Sequence, residues 1–237
     1  MKTLILTPTY NERGNIEALI NQIQAQTREE QVSILVIDSN SPDGTGEIID
    51  ILARNRSGVY ALHQPSKQGL GKAYLDGFRW ALDKGFEVIF TMDADFSHDP
   101  VYIPSMLREI ERVDLVIGSR YVRGGGVVNW PWPRRVVSRF GNWYAKTIMG
   151  IQLNDFTSGF QCFRAKLLEK ILSPPVSSEG YVFLIELKFR ASMEKARIFE
   201  TPIIFKDRTR GESKISKGII REAAVRVWQF AKQKYVN

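Results

Sequence analysis

Short apolar runs alternate with helical patterns along the first half of this 237-residue chain. Each run is brief and most are rich in β-branched residues, which predicts buried strands at residues 4–6, 34–37, 59–62, 88–90 and 115–117. Between the runs, apolar residues recur at helical spacing, for example at Ile16, Leu19, Ile20 and Ile23. Strand–helix–strand repetition of this kind predicts an α/β fold with a mostly parallel sheet and right-handed crossover connections.

Polar or Gly-rich segments follow four of the predicted strands. They are Pro8-Thr9-Tyr10-Asn11-Glu12, Asp38-Ser39-Asn40-Ser41-Pro42-Asp43-Gly44-Thr45, Lys67-Gln68-Gly69-Leu70-Gly71-Lys72 and Asp93-Ala94-Asp95. Each alone is also typical of a turn or a helix cap, which use Asn, Asp, Ser, Pro and Gly. The carboxyl ends of parallel strands, however, meet at one sheet edge, and ligands bind there. Four converging segments therefore favour a ligand site.

Several common chemistries are excluded by missing residues. The single cysteine, Cys162, allows neither an internal disulfide nor a cysteine-based zinc site, and we expect it to be a small buried residue in a reducing compartment. Neither a Gly-x-Gly-x-x-Gly sequence after the first strand nor a Gly-x-x-x-x-Gly-Lys-Ser/Thr loop is present, which excludes the usual dinucleotide and NTP-hydrolysis sites. His63 and His98 lie near no nucleophile elbow. His98 is interpreted first as a polar turn residue, with an outer-shell partner of a bound metal as the alternative.

The charge of the chain is unevenly distributed. Residues 1–119 hold 11 basic and 17 acidic side chains, whereas residues 120–237 hold 22 basic and 9 acidic ones. This asymmetry predicts that the second half faces an anionic partner: a nucleic acid, a phosphorylated ligand or a membrane surface. No internal repeat or low-complexity linker interrupts the sequence, so residues 1–237 are predicted to form a single domain.

The Asp93-Ala94-Asp95 segment is the candidate metal site. Two carboxylates placed two residues apart at the end of a strand can both reach one hard divalent cation, Mg²⁺ or Mn²⁺, which proteins usually share with substrate phosphates. Asp-x-Asp alone is common in loops. With Asp38 and the turn at residues 8–12 on the same edge, it predicts a site for a nucleotide diphosphate.

Two sets of motifs resemble a known family. The segments at residues 8–12, 41–45, 69–71 and 93–95 resemble the motifs of inverting family-2 glycosyltransferases with the GT-A fold. More specifically, five segments resemble those of dolichol-phosphate mannose synthases: Gly118-Ser119-Arg120-Tyr121, Gly124-Gly125-Gly126, Arg134-Arg135 with Ser138-Arg139, Gly180-Tyr181-Val182-Phe183, and Asp207-Arg208 with Gly211-Glu212-Ser213-Lys214. They occur in the family's order over nearly the whole chain.

The resemblance implies transfer of mannose, with inversion, from GDP-mannose to a polyprenyl or dolichyl phosphate. It implies a nucleotide-binding half at 1–119 and an acceptor-binding half at 120–237, which ends in an amphipathic helix. The implied donor-binding residues are Pro8, Tyr10, Glu12, Asp38, Asp43, Gly71, Asp93, Ala94, Asp95, Arg208 and Lys214. Asp93 and Asp95 would bind Mg²⁺ or Mn²⁺. The acceptor phosphate would be held by Arg120, Arg134 and Ser138, and the catalytic residues would be Asp95, Arg120 and Arg134.

The residue types suit this chemistry. A phosphate monoester has its second pKa near about 6, so at neutral pH its oxygen can attack a sugar without a general base. The protein then has to align two anions and neutralise the leaving diphosphate, for which the planar fork of arginine is well suited. Two positions depart from the family. Ser39 stands where family members commonly have Asp, and Ser97 stands where archaeal members often carry Gln, so the resemblance does not imply that the Ser97 side chain is a metal ligand.

Two alternatives remain open at this point. The first is a polyprenyl-phosphate glucosyltransferase that uses UDP-glucose, and the second is a basic nucleic-acid-binding module. The second is disfavoured because nucleic-acid-binding motifs are missing and an acidic pair lies on the sheet edge.

The sequence shows no targeting segment and no apolar run that could span a bilayer. We therefore expect a cytoplasmic protein that binds peripherally to the cytoplasmic face of a membrane, or to an integral membrane partner. The candidate contacts are Trp130 and Trp132 in the Trp130-Pro131-Trp132-Pro133 loop, a helix at 134–149 with Trp143 and Tyr144, and a C-terminal helix with Arg221, Arg226, Lys232 and Lys234.

Overall fold

The computed structural model of the chain describes residues 1–28, 30–173, 175–176, 178, 180–207 and 217–236. Its strands are β1 (Thr3–Thr9), β2 (Val32–Asp38), β3 (Val59–His63), β4 (Val88–Thr91), β5 (Leu115–Ser119), β6 (Gly126–Val128), β7 (Gln161–Arg164), β8 (Ile198–Pro202) and β9 (Ile204–Lys206). Its α-helices are α1 (Ile16–Gln26), α2 (Thr45–Asn55), α3 (Leu70–Asp83), α4 (Ile103–Ile110), α5 (Trp132–Met149), α6 (Ala165–Leu172), α7 (Gly180–Met193) and α8 (Lys217–Val236).

Seven strands form the central sheet in the order β3-β2-β1-β4-β7-β5-β8. All five predicted strands are present, and the prediction of a mostly parallel sheet is confirmed by the parallel pairs β1–β2, β1–β4, β2–β3 and β5–β8. β7 and β8 were not predicted, and β7 runs antiparallel to both of its neighbours, β4 and β5. Consequently β4 and β5 point the same way, and their carboxyl ends share an edge.

Helices cover both faces of this sheet, because successive strand residues point to opposite faces. Ile5, Val36 and Phe90 belong to the core beneath α1, α2 and α4. Leu4, Leu6 and Ile89 belong to the core beneath α3 and α5–α8. Cys162 is buried and unpaired, as predicted.

The two long helices of the second half differ in detail from the prediction. α5 begins at Trp132, two residues before the predicted start, because a proline is tolerated in the first turn of a helix and Pro133 occupies that place. The helical spacing of Val227, Trp228 and Ala231 predicts that they share one face of α8. Val227 and Ala231 are buried there, whereas Trp228 is about half exposed. Phe230, which was not assigned to that face, is also buried.

Candidate active site

The loops after β1 and β2 are tied to each other by side chains of the second loop. The backbone N–H of Asn11 donates to Ser41 Oγ at 3.0 Å, and that of Glu12 donates to Thr45 Oγ1 at 3.0 Å. Asn11 has a φ of 61°, a left-handed conformation that asparagine tolerates better than most residues. The chain therefore turns sharply at Asn11, just after β1, and Tyr10 and Glu12 on either side of this turn lie at the sheet edge.

Asp38 lies beneath these loops at the end of β2. Its side chain is buried and accepts hydrogen bonds from Thr9 Oγ1 at 3.2 Å and from the backbone N–H of Ser41 at 3.0 Å. These contacts fix the shape of the second loop. Contact of Asp38 with a nucleoside remains a prediction.

Asp43 supports the start of α2. Its carboxylate accepts from the backbone N–H groups of Thr45 at 3.0 Å and Arg13 at 3.1 Å. Burial alone would raise the pKa of Asp43, but the hydrogen bonds from Thr45 and Arg13 outweigh it and hold that pKa below its ordinary value. Donor binding by Asp43 is likewise still a prediction, because the contacts shown are made within the loop.

A buried polar chain lies beside the third loop. Ser39 Oγ donates to Gln64 Oε1 at 2.9 Å, and Gln64 Nε2 donates to Asp76 Oδ2 at 2.8 Å. Ser39, where the family commonly has Asp, thus works as a support for β3 and α3. At the start of α3, a Cβ on Gly71 would come within 3.2 Å of the Phe183 ring, so a larger residue here would require the ring to shift by a few tenths of an ångström. Donor binding by Gly71 stays a prediction.

The segment after β4 carries the two candidate metal ligands. The side chain of Asp93 is about one-third exposed, and Asp95 Oδ1 accepts from the backbone N–H of Ser97 at 3.1 Å. Ala94 between them is buried. Phe96 has a φ of 61°, which is strained for a bulky side chain. Strain of this kind is typical of functional loops, where the surrounding structure enforces it.

His98 holds this loop from below. It is almost fully buried, its ring stacks on Phe160, and its Nδ1 accepts from the backbone N–H of Asp93 at 3.1 Å. Burial lowers the pKa of His98 against the opposing charges of Asp93 and Asp95, so the ring stays neutral and Nδ1 remains an acceptor. His98 lies in a bend, as predicted, but it is a buried support and not a polar surface residue, because its ring stacks on Phe160, which is distant in sequence.

Tyr74 is a partner of Asp93 that the sequence pattern did not indicate. It lies on the buried face of α3, and its hydroxyl donates to Asp93 Oδ1 at 3.5 Å. Burial and the charge of Asp93 raise the pKa of Tyr74, which keeps the phenol protonated as a donor. Helical spacing identified Tyr74 as a core residue, but it did not show that the hydroxyl group would reach Asp93.

The donor set of this loop fits a hard divalent cation. In the described part of the chain, no group of three or more His, Cys, Asp or Glu side chains is arranged to hold a metal. Two carboxylates and the buried Ser97 hydroxyl, which has no hydrogen-bond partner among described residues, provide oxygen ligands only. Mg²⁺ and Mn²⁺ prefer oxygen and usually complete their shell with substrate phosphates and water.

Arg120 lies at the end of β5 on the same edge, in an ion pair with Asp155. Its Nε donates to Asp155 Oδ2 at 2.8 Å and its Nη2 donates to Asp155 Oδ1 at 2.7 Å. Both side chains are buried. Burial alone would raise the pKa of Asp155, but the charge and hydrogen bonds of Arg120 hold it below its ordinary value. Removal of one partner from such a buried pair strongly destabilises the protein, because the other charge is left without compensation.

Lys188 extends this buried charge cluster and was not predicted as a site residue. It lies on α7, and its Nζ donates to the carbonyl oxygens of Ser158 at 2.9 Å and Leu184 at 3.4 Å. Burial lowers the pKa of Lys188 to about 7, although the charges of Asp155 and Glu200 raise it. The available signal was a lysine inside the apolar run from 182 to 189.

Lys188→Met is expected to flatten the pH dependence of stability above neutrality. Above about pH 7 the folded protein holds Lys188 neutral, whereas the unfolded chain keeps it protonated up to the ordinary lysine pKa of 10.5. The unfolded state therefore binds more protons, and the free energy of unfolding rises with pH by at most about 1.4 kcal/mol per pH unit. Urea unfolding from pH 7 to pH 9 measures this slope. The exposed Lys166→Met is the matched control, and a Lys188→Met slope equal to that control would contradict the assignment.

The remaining predicted acceptor residues lie close to Arg120. Arg134 Nη1 donates to Asp207 Oδ1 at 2.9 Å and Oδ2 at 3.0 Å. Ser138 Oγ accepts from the hydroxyl of Tyr121 at 2.6 Å, and burial raises the pKa of Tyr121, so that this hydroxyl keeps its proton. Arg120, Arg134 and Ser138 are thus brought together by Tyr121 and by the indole of Trp130. The predicted ligands Arg208 and Lys214 lie outside the described residues.

One prediction about this region is wrong. Trp130 was expected to contact lipid together with Trp132, but its side chain is only 6% exposed. Its ring packs between the guanidinium groups of Arg134 and Arg120 and against the edge of Phe205. Trp132 is 73% exposed, as expected for a surface residue. The Trp-Pro-Trp-Pro sequence contains no pattern that distinguishes the buried indole from the exposed one.

Comparisons with known proteins agree with the sequence motifs. The chain is 42% identical over 230 residues to undecaprenyl-phosphate mannosyltransferase from Micrococcus luteus, covering 97% of this chain and 94% of that protein. It is 44% identical over 231 residues to polyprenol monophosphomannose synthase from Mycolicibacterium smegmatis, covering 97% of this chain and 86% of that protein. The predicted resemblance to polyprenyl-phosphate mannose synthases is confirmed.

Solved structures support the fold. Glucosyl-3-phosphoglycerate synthase from Mycobacterium tuberculosis, in complex with Mn²⁺, UDP and glucosyl-3-phosphoglycerate, matches with a TM-score of 0.68 at 18% identity, covering 97% of this chain and 79% of that one. The same synthase with Mg²⁺ and UDP gives a TM-score of 0.69 at 19% identity, covering 98% and 79%. The predicted GT-A fold is confirmed. The family model described as glycosyl transferase family 2 matches residues 4–172, and the chain belongs to this family.

Proposed function

We propose that this protein transfers a mannosyl group from GDP-mannose to a polyprenyl or dolichyl phosphate, with inversion at the anomeric carbon. The observation that carries the proposal is the shared sheet edge. The Asp93/Asp95 pair follows β4, and the Arg120 cluster follows β5, which points the same way. The two relatives that match nearly the whole chain are named for transfer of mannose to polyprenyl phosphates.

The donor would lie over the first four strands. In this proposal Tyr10, Glu12 and Asp38 contact the nucleoside, while Asp93 and Asp95 hold Mg²⁺ or Mn²⁺ against the diphosphate. The bound cation would supply positive charge to the leaving diphosphate. The protein's own part is to hold the two carboxylates apart and facing the edge, which His98 and Tyr74 support through the backbone and side chain of Asp93.

The acceptor would approach from the basic second half. A phosphate oxygen of the lipid is already anionic near neutral pH, so no side chain has to remove a proton before the attack. Arg120 and Arg134 would align this anion, and Ser138 would donate a hydrogen bond to it. Because Asp155 fixes the orientation of Arg120, the acceptor phosphate would meet a preformed site.

Transfer assays with each donor test the proposal. The protein is incubated with Mg²⁺, a short polyprenyl phosphate and radiolabelled GDP-mannose, and lipid-soluble label is extracted. A parallel incubation with UDP-glucose tests the alternative donor. We expect a labelled lipid from GDP-mannose, with little from UDP-glucose. Preferential product from UDP-glucose would replace the proposed sugar, and no lipid product from either donor would overturn the proposed function.

The acceptor's hydrocarbon tail requires a route to a membrane. No described helix has the length and hydrophobicity needed to cross a bilayer. An exposed apolar face of α5, which we term the aromatic ridge, is spaced as one side of a helix and consists of Trp132, Val136, Phe140 and Trp143. Exposed Arg135 and Arg139 flank this ridge. We propose that the ridge rests on the cytoplasmic leaflet, where indole rings favour the headgroup level.

Binding to anionic liposomes is expected to weaken as salt rises, because each basic residue near an anionic surface adds roughly 1 kcal/mol that ions screen. Trp132→Ala combined with Trp143→Ala should weaken it further. Tyr60→Ala, at an exposed aromatic ring on β3, serves as the control and should bind like the unmodified protein. Co-sedimentation across a salt series measures all three. Absence of binding at low salt would leave an integral membrane partner as the route.

A further inference from the structure

Trp130 occupies a position between the two candidate acceptor arginines. The ring centroid lies 4.1 Å from Cζ of Arg134 and 5.5 Å from Cζ of Arg120. The rings of Trp130 and Phe205 form a T-shaped pair with centroids 5.5 Å apart, and the carbonyl of Trp130 accepts from Arg135 Nε at 3.0 Å. The indole is therefore held in one orientation by neighbours on β9 and α5.

Two hydrogen-bond donors in this cluster have no acceptor within the part of the chain that the structure describes. Trp130 Nε1 and Arg134 Nε are both buried and have no hydrogen-bond partner among the described residues. A buried donor left unsatisfied is destabilising, so native proteins rarely retain one without a reason. Both groups can only donate. What satisfies them must therefore be an acceptor, and the two adjacent guanidinium groups favour an anionic one.

We propose that the indole N–H of Trp130 donates a hydrogen bond to the phosphate of the acceptor, which makes Trp130 a binding residue as well as a spacer between two arginines. This inference rests on the proposed function, which brings a phosphate monoester to Arg120 and Arg134. A phosphate monoester offers three acceptor oxygens, enough for two arginines and one indole. The neutral indole adds a donor without adding charge to an already cationic site.

Trp130→Phe tests the inference, because it keeps an aromatic face for both arginines and removes the N–H. Binding of a ten-carbon isoprenyl phosphate is measured by calorimetry, so turnover is not needed. We expect the dissociation constant to rise about tenfold to a hundredfold, the usual worth of a hydrogen bond to a charged group. Binding of GDP should stay unchanged. Trp80→Phe, in an aromatic cluster with Tyr60 and Phe86, is the control.

Inorganic phosphate distinguishes a lipid headgroup from a free anion. We expect Trp130→Phe to weaken both ligands, since the phosphate is common to them. Weakened binding of inorganic phosphate with unchanged binding of isoprenyl phosphate would overturn the inference, as would equal weakening of GDP. If the unmodified protein binds isoprenyl phosphate but makes no labelled lipid, the proposed reaction fails while the binding data still decide the role of Trp130.

A spectroscopic measurement covers the case in which Trp130→Phe folds poorly. The chain has five tryptophans, so its indole N–H resonances are few enough to assign by substitution. Isoprenyl phosphate should shift the Trp130 indole resonance of the unmodified protein downfield, as a new hydrogen bond does. An indole resonance for Trp130 that does not move at saturating isoprenyl phosphate would overturn the inference.

Discussion

Asp95→Asn is expected to lower the rate of mannosyl transfer roughly a thousandfold, equivalent to about 4 kcal/mol of transition-state stabilisation. The substitution keeps the shape of the side chain and its hydrogen bond to the backbone of Ser97, but it removes the charge that would attract a divalent cation. Excess EDTA should abolish the activity of the unmodified protein in the same way. Initial rates with GDP-mannose and a short polyprenyl phosphate measure both effects.

Asp99→Asn is the matched control for this experiment. Asp99 lies four residues further along, forms an ion pair with Lys206 at 3.2 Å and caps the turn at Val101, a cap that asparagine can also make. Its activity should stay close to that of the unmodified protein. Titration of Mn²⁺ in the presence of GDP, followed by electron paramagnetic resonance, should show weaker binding only for Asp95→Asn. Full turnover in EDTA would contradict the metal site.

Asp155→Ala is expected to lower the free energy of unfolding by about 3–5 kcal/mol, the usual cost of breaking a buried ion pair on one side. The carboxylate is fully buried and binds Arg120 through both oxygens, with Lys188 as a second cation nearby. Its removal would leave positive charge in the interior without compensation. Urea denaturation at constant pH measures the loss.

Asp114→Ala is the comparison that shows how much of the loss of stability depends on burial of the ion pair. Asp114 also pairs with an arginine, Arg197, through two nitrogen atoms, each at 3.2 Å, but that guanidinium is largely exposed. Because exposed ion pairs contribute little, a much smaller loss of stability is expected. Equal losses in the two variants would show that the Asp155 pair is no more than a surface-type interaction.

The sequence predicted those parts of the fold that depend on local pattern. Apolar runs located five strands, and the parallel topology then placed Asp95 and Arg120 on one edge. β7 escaped notice because it has only four residues, begins with Gln161 and pairs with strands that precede it by more than 40 residues. Its place in the sheet depends on contacts that no local pattern contains.

Several site residues escaped prediction for a related reason. Lys188, Trp130 and His98 owe their roles to neighbours distant in sequence, respectively Ser158, Arg120 and Phe160. Residue type alone suggested a lipid-facing indole for Trp130 and a polar turn residue for His98, and it gave no indication of a role for Lys188. A buried charge or an inward-facing ring becomes visible only once the loops of the two halves are placed together.

The antiparallel β7 has a consequence for the reaction. It separates β4, which ends at the two aspartates, from β5, which ends at Arg120. Neighbouring strands lie about 4.8 Å apart, so the two loops begin about 10 Å from each other. Hydrogen bonds on both sides of β7 make this spacing rigid. In the proposed reaction, the width of β7 therefore sets the distance between the leaving diphosphate and the attacking phosphate. That distance leaves room for one sugar ring between them.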